Sequence, residues 1–356
     1  MINPSISFWA NKKVLITGHT GFKGGWLSIW LHSLGAKVTG VSLEPNTKEN
    51  LFELGEIGML VDSHIEDIRN YKNIESIFKK ADPEIVFHMA AQPLVSVGYE
   101  DPLLTFSTNI MGTANVLSAL QKVNSLKAIV AVTTDKVYKN NEWIWPYREN
   151  DTLGGYDPYS ASKAASEMVI DSYVKSFFNP IHIPIGIGRA GNVIGGGDWS
   201  KDRLVPDIIR SWVQSSPLVI RRPNSVRPWQ HVLEPLNGYL VLAERMYFDE
   251  NLMGAYNFGP LLSDAQSVKY LVDASINFLK NSVNVLYDNV MDGPNEANLL
   301  TLDSSKAKSH LGVFPRWTLD VALKKTIEWY VNQANTNANV VSLCLKDIES
   351  FTNGVH

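Results

Sequence analysis

Short apolar runs alternate with longer amphipathic stretches through the first half of the chain. Lys13-Val14-Leu15-Ile16-Thr17 reads as a buried strand, Lys37 to Leu43 as the second and Ile85-Val86-Phe87-His88-Met89 as the fourth, with a less distinct third around Leu60 to Ile65. Ala128 to Val132 and Ile181 to Ile187 continue the series. Between them Trp26, Leu27, Ile29, Trp30 and Leu34 recur at helical spacing. Asn70 to Lys80 reads as a helix halted by Pro83, and Asp101 to Gln121 as a long one. This alternation predicts an α/β fold with a doubly wound parallel sheet. Near residue 190 the pattern breaks into Arg, Gly and Pro-rich segments. We therefore expect a nucleotide-binding domain over 1–190 and a smaller, mixed α/β substrate domain over 191–356. A return to the first domain is expected within about 225–258. In the second part Tyr256-Asn257-Phe258-Gly259 reads as a strand, and Val268 to Leu279 and Leu319 to about Gln333 as helices. The residues past about Asn335 are polar and read as a loosely attached end.

The turn after the first strand carries the first chemistry. Gly18, Gly21 and Gly24 fall within Gly18-His19-Thr20-Gly21-Phe22-Lys23-Gly24-Gly25, directly between strand and helix. That unit places a pyrophosphate on a helix N-terminus, and makes the sheet Rossmann-like. The end of the second strand has Ser42, with Glu44 two residues on, where such sites often have an acid for the ribose. No Arg stands nearby for a 2′-phosphate, so NAD is expected rather than NADP. Asp67 is placed to reach adenine or to cap a helix. Ala90-Ala91-Gln92-Pro93 is a small-residue turn against which a cofactor can lie, and His88 reads as a packed core histidine.

Composition removes other classes. The formal net charge is -4, so no broad basic field suits nucleic acid. The single cysteine, Cys344, allows neither an internal disulfide nor a cysteine-based metal site. No metal is expected. No apolar run approaches a membrane span, and Met1-Ile2-Asn3-Pro4-Ser5 lacks a secretory pattern, so a cytoplasmic protein is expected.

The strand Ala128 to Val132 runs into Thr133-Thr134-Asp135-Lys136-Val137-Tyr138, and Tyr159-Ser160-Ala161-Ser162-Lys163 opens a helix after Pro158. Tyr159 and Lys163 share a helix face, an arrangement that can lower a phenol's pKa and make it a base. Tyr–Lys pairs at this spacing also occur on plain helix surfaces. Among the 13 tyrosines, however, Tyr159 alone has Lys four positions on. Asp135 and Lys136 add a second acid/base pair. Arg221, Arg222 and Arg227 suit either bidentate contact with phosphate or a solvated loop.

These motifs, in this order and spacing, resemble the extended short-chain dehydrogenase/reductase family over nearly the whole chain. Ala190-Gly191-Asn192-Val193-Ile194-Gly195-Gly196-Gly197-Asp198-Trp199 and Arg227-Pro228-Trp229-Gln230-His231-Val232 strengthen the likeness. Within the family it implies dehydration of a nucleotide sugar, CDP-glucose, to its 4-keto-6-deoxy form, with NAD regenerated each cycle. The resemblance implies Tyr159 as the base at the 4-hydroxyl, its pKa lowered by Lys163 and the nicotinamide charge, with Thr134 polarising the same oxygen. Lys136 would take the C5 proton, or stabilise an enolate by its charge, and Asp135 would protonate the leaving 6-hydroxyl. Lys136 stands where the dTDP-glucose dehydratases have Glu. For NAD the resemblance implies Thr17, Gly18, Gly21, Phe22, Lys23, Gly24, Asp67, Ile68, Ala90, Ala91, Gln92, Tyr159, Lys163 and Arg189. For the substrate it implies Gln92, Asn192, Arg203, Leu204, Arg227 and Glu296. His19, with Ser42, implies looser NAD binding than in relatives with smaller or acidic residues there. The helices beginning near Asp101 and Tyr159 imply a homodimer. The enzymatic alternatives are another nucleotide-sugar dehydratase, or a 4-epimerase or reductase of the same family, which needs no elimination pair. A catalytically silent dinucleotide-binding regulator is the other.

Overall fold

The computed structural model describes residues 2–279, 283–287, 299–336 and 338–354. Its centre is a seven-stranded sheet. β1 is Lys13–Thr17, β2 Lys37–Ser42, β3 Asp62–Ile65, β4 Ile85–His88, β5 Ala128–Val132 and β6 Ile185–Ala190. The strand Gly254–Phe258 completes it. The spatial order is Gly254–Phe258, β6, β5, β4, β1, β2, β3. Every pairing is parallel. The order reverses between β1 and β4, which opens a crevice at the C-terminal ends of these strands.

The inner strands β1, β4 and β5 are apolar because both faces are covered, whereas the edge strand β3, Asp62–Ile65, is polar and partly exposed. Along β1, Val14 and Ile16 join the core on one side and Leu15 the core on the other. Along β5, Ala128, Val130 and Val132 alternate in the same way with Ile129 and Ala131. Helix Phe22–Ser33 is buried around Trp26, Leu27, Ile29 and Trp30.

Two expectations from the sequence shift here. The sixth strand begins at Ile185 rather than Ile181, because Asn179–Ile181 is a 3₁₀ turn closed by His182 at φ 56°. Pro184, lacking an N–H, sits at the strand's entry. The region 101–121 is helical but not uniform. A π turn at Ser107–Met111 separates Pro102–Phe106 from Gly112–Leu120, and Asp101 caps its start.

The C-terminal end is a correction. Val340–Asn353 is a helix capped by Asn339, with Cys344, Ile348 and Phe351 buried. Phe351 meets Trp30 and Trp317 edge-on, at ring distances of 6.1 and 5.2 Å. It therefore packs behind the first helix of the sheet.

Beyond β6 three two-stranded ladders stand over the crevice. Val193–Ile194 pairs with Gln230–His231, Leu218–Ile220 with Val285–Tyr287, and Val226–Pro228 with Ala265–Ser267. Gly254–Phe258 then carries the chain back to the edge of the main sheet.

Candidate active site

A cleft of about 720 Å³ lies between the sheet's C-terminal edge and these ladders. Its floor is the turn after β1. Gly18 adopts φ +85°, and a Cβ there would lie 2.8 Å from Ala90 N. A Cβ on Gly24 would lie 2.0 Å from the Gly18 carbonyl oxygen. Only bare backbone fits, and helix Phe22–Ser33 directs its first N–H groups at the cleft. This cradle fits a dinucleotide pyrophosphate. Gly21, Phe22, Lys23, Asp67, Ile68, Ala90 and Ala91 also line the cleft. Burial raises the Asp67 carboxyl, but side-chain and backbone bonds from Arg69 outweigh it and leave it below the usual range.

Three expected cofactor ligands lie outside the cleft lining. Thr17 is fully buried. Its hydroxyl accepts from the amides of Met89 and Ala90 at 3.1 and 3.2 Å and bonds His88 Nδ1 at 2.8 Å. Thr17 thus joins two strand ends from behind the cradle. The Gln92 side chain is held by Leu94 and Thr105, so it contributes structure to its turn rather than a ligand. Arg189 is the clearest correction. Ala190 lines the cleft, and strand alternation sends Arg189 the opposite way. Its guanidinium pairs with Glu167 and donates to Tyr138 and to the Glu149 carbonyl.

His19 is also behind the floor, bonded to Ser63 at 2.7 Å and edge-on to Phe52. Gly40 makes room for it, since a Cβ there would lie 2.4 Å from the imidazole. Burial pushes the His19 pKa down to about 4. Ser42 bonds Thr20 at 2.8 Å.

The catalytic candidates come together on one wall. Thr134 lies two residues past the end of β5 and caps the 3₁₀ turn Asp135–Val137. Its hydroxyl donates to Asp135 Oδ1 at 3.0 Å, and Lys136 Nζ donates to the same oxygen at 3.4 Å. Asp135 is buried, and its Oδ2 has no hydrogen-bond partner among the described residues. Helix Pro158–Tyr173, capped by Asp157, presents Tyr159 and Lys163 opposite. Thr134, Lys136, Tyr159 and Lys163 all line the cleft.

The electrostatics differ from the expectation for Tyr159. Burial raises its pKa; Lys136, a hydrogen bond with Thr134 and Arg203 pull it down, and Asp135 adds to the rise. Lys163 Nζ donates to the Val132 carbonyl at 3.2 Å. Burial pushes Lys163 itself down to about 8. Lys23 is pushed down to about 7 by burial and by the nearby charges of Arg203 and Lys163.

The far side of the cleft carries Asn192, Arg203, Leu204 and Arg227. Asn192 Oδ1 is buried with no partner among the described residues. Arg203 donates to Asp198 at 2.8 Å. Glu296 lies outside the described residues. Two supporting residues were missed. Asp198 sits within the Gly-Gly-Gly-Asp-Trp segment. Glu167 follows Lys163 by one turn, so the Tyr159, Lys163, Glu167 ladder was the signal for it.

Residues 15–326 match the family model described as GDP-mannose 4,6 dehydratase. A CDP-glucose 4,6-dehydratase of Salmonella typhimurium is 48% identical over 330 residues, covering 91% of this chain and 92% of the relative. Two solved structures share the fold. A UDP-glucose 4-epimerase of Thermotoga maritima, with UDP-glucose, superposes at a TM-score of 0.79 and 23% identity, covering 90% of this chain and 99% of that one. A dTDP-glucose 4,6-dehydratase of Bacillus anthracis, in complex with NAD, gives 0.76 and 22%, covering 90% and 97%.

Proposed function

Because the chain belongs to the GDP-mannose 4,6 dehydratase family of extended short-chain dehydrogenases/reductases, we propose that it is an NAD-dependent lyase that converts CDP-D-glucose to CDP-4-keto-6-deoxy-D-glucose in deoxysugar biosynthesis. The observation that carries this reading is that Thr134 and Lys136 line the cleft beside Tyr159, with Asp135 buried behind them and bonded to both. Oxidation alone needs only the tyrosine side. The acid/base pair beside it is what elimination of water requires.

Gly18, Gly21 and Gly24, the helix N-terminus behind them, and Ala90 and Ala91 would hold the dinucleotide. Asp67 and Ile68 would flank it. Bound there, NAD supplies a hydride acceptor for C4 and then a hydride donor for C6. Asn192, Arg203, Leu204 and Arg227 would hold the nucleotide diphosphate, arginine forks matching phosphate oxygens.

Tyr159, as the phenolate, takes the proton of the sugar 4-hydroxyl, with Thr134 against the same oxygen. The ketone formed at C4 acidifies C5. Lys136, a base only when neutral, removes the C5 proton. Asp135 gives a proton to the 6-hydroxyl, which leaves as water. C5 regains its proton from Lys136. The cycle leaves Tyr159 one proton richer and Asp135 one poorer. Thr134, in hydrogen-bond contact with both, lies on the path that returns it.

Nucleotide-sugar turnover by a homodimer in the cytoplasm, feeding polysaccharide assembly such as O-antigen, completes the proposal. The helices Pro102–Leu120 and Pro158–Tyr173 would face the partner; Leu103, Met111 and Met168 are exposed on them. Incubation with CDP-glucose and NAD should yield the alkali absorbance of a 4-keto sugar. Product from dTDP- or GDP-glucose instead would reassign the nucleotide. No product from any of these sugars would contradict the enzyme reading.

A further inference from the structure

The Asp135–Val137 turn does little to hold its own shape. Val137 N donates to the Thr134 carbonyl at 3.4 Å and Tyr138 N to the Asp135 carbonyl at 3.5 Å. Lys136 N reaches the Thr134 hydroxyl at 3.4 Å. These are long bonds. The residues on either side are held much more tightly.

On one side, Thr133 Oγ1 donates to Glu167 Oε1 at 2.6 Å, and Thr133 N to the Gly188 carbonyl at 2.9 Å. On the other, the Tyr138 hydroxyl donates to Asn257 Oδ1 at 2.7 Å and accepts from Arg189 Nη1 at 2.8 Å. Glu167 and Arg189 close the loop: Arg189 Nε and Nη2 grip the carboxylate at 3.0 and 2.5 Å. The guanidinium also lies 4.9 Å over the Tyr138 ring, which stacks on Tyr147 at 5.1 Å. Glu167, Arg189, Tyr138 and Asn257 are all buried, and none lines the cleft.

We infer that Glu167, Arg189 and Tyr138 form a buried clamp that fixes the aim of Asp135 and Lys136, and are positioning residues for elimination rather than oxidation. This rests on the dehydratase reading above. The selectivity follows from how each group is carried. Tyr159 and Lys163 are placed by a capped helix of 16 residues with its own hydrogen-bond ladder. Asp135 and Lys136 sit on a three-residue turn with long internal bonds, anchored at its two ends and through buried Val137, whose carbonyl accepts from Gly154 N at 2.8 Å. Gly191, two residues past Arg189, adds a wall: a Cβ there would lie 2.9 Å from Asp135 Oδ2. A buried and fully bonded charge pair rigidifies its surroundings, and loosening one bond frees the rest.

Tyr138→Phe removes both hydroxyl bonds but keeps the ring. Thr133→Val removes the bond to Glu167, and Thr133→Ser restores a hydroxyl. Each is mixed rapidly with CDP-glucose and NAD. The near-ultraviolet absorbance of reduced nicotinamide follows oxidation, and the 4-keto-6-deoxy sugar follows completion. In Tyr138→Phe and Thr133→Val, oxidation should stay within about twofold of wild type while kcat for product falls about 20-fold and KM is unchanged. Reduced nicotinamide should persist, and Thr133→Ser should recover most of the product rate. Hydrogen exchange, read without substrate or cofactor, should quicken at residues 135–138 and stay unchanged in helix Pro158–Tyr173. Unaltered product formation in both variants, or oxidation and product falling together, would overturn the clamp. If Tyr138→Phe does not fold, Thr133→Val with its Ser rescue decides. Wild-type protein that yields no 4-keto sugar would overturn the dehydratase reading itself, whereas active wild type with unaffected variants overturns the clamp alone.

Discussion

Tyr159 is asked to be a base in a place that resists its charge. Burial raises its pKa, and Lys136, Thr134 and Arg203 offset part of that rise. Tyr159→Phe should lower turnover by about 10³-fold while far-ultraviolet circular dichroism is retained. Undiminished water loss would place the chemistry elsewhere. Thr134→Val removes a bond that favours the phenolate, so the phenol's pKa rises. Activity needs the deprotonated form, so the acidic limb of the pH–kcat profile should move to higher pH. An unmoved limb would mean that Thr134 does not tune the phenol. That Tyr159 and Lys163 lie on one helix and both line the cleft was legible because it is a matter of spacing. The direction of the phenol's shift was not, because burial comes from chain segments distant in sequence. Arg189 was misread for a simpler reason. The family resemblance implied it as a cofactor ligand, whereas alternation along β6 turns it away from Ala190, which lines the cleft.

At the scale of elements, the strand–helix alternation of the first 190 residues was readable because β1, β4 and β5 are near-continuous apolar runs, while β3, a polar edge strand, was the least distinct. The short ladders over the crevice were not, since their two- and three-residue strands pair with distant partners. The last helix was hidden by the polar stretch before it, although Val340, Cys344, Ile348 and Phe351 keep helical spacing. Phe351 is fully buried between Trp30 and Trp317. Phe351→Ala should therefore destabilise the protein by about 3–5 kcal/mol, visible as a fall in the thermal midpoint. A midpoint unchanged by that substitution would support the looser tail expected from sequence.

Across the whole molecule, one buried carboxyl links stability to pH. Glu234 accepts from the amides of Arg316 and Trp317 at 2.9 and 2.8 Å, and burial pushes its pKa from 4.5 up to about 7. The folded state thus keeps a proton that the unfolded chain releases. The stability this group contributes is present below pH 4.5 and is lost as pH rises through about 7, a change of about 3 kcal/mol. Glu234→Gln keeps the accepting oxygen and cannot ionise. It should melt higher than wild type at about pH 8 and lose that advantage near pH 4. An advantage of equal size at both would exclude the linkage. The reaction itself is tested most directly by following one hydrogen. CDP-glucose carrying deuterium at C4 is converted with NAD, and the product is read by nuclear magnetic resonance. Deuterium should appear on C6 of the 4-keto-6-deoxy sugar, carried there within each turnover. Deuterium still on C4, in a sugar that has kept its 6-hydroxyl, would contradict the dehydratase reading.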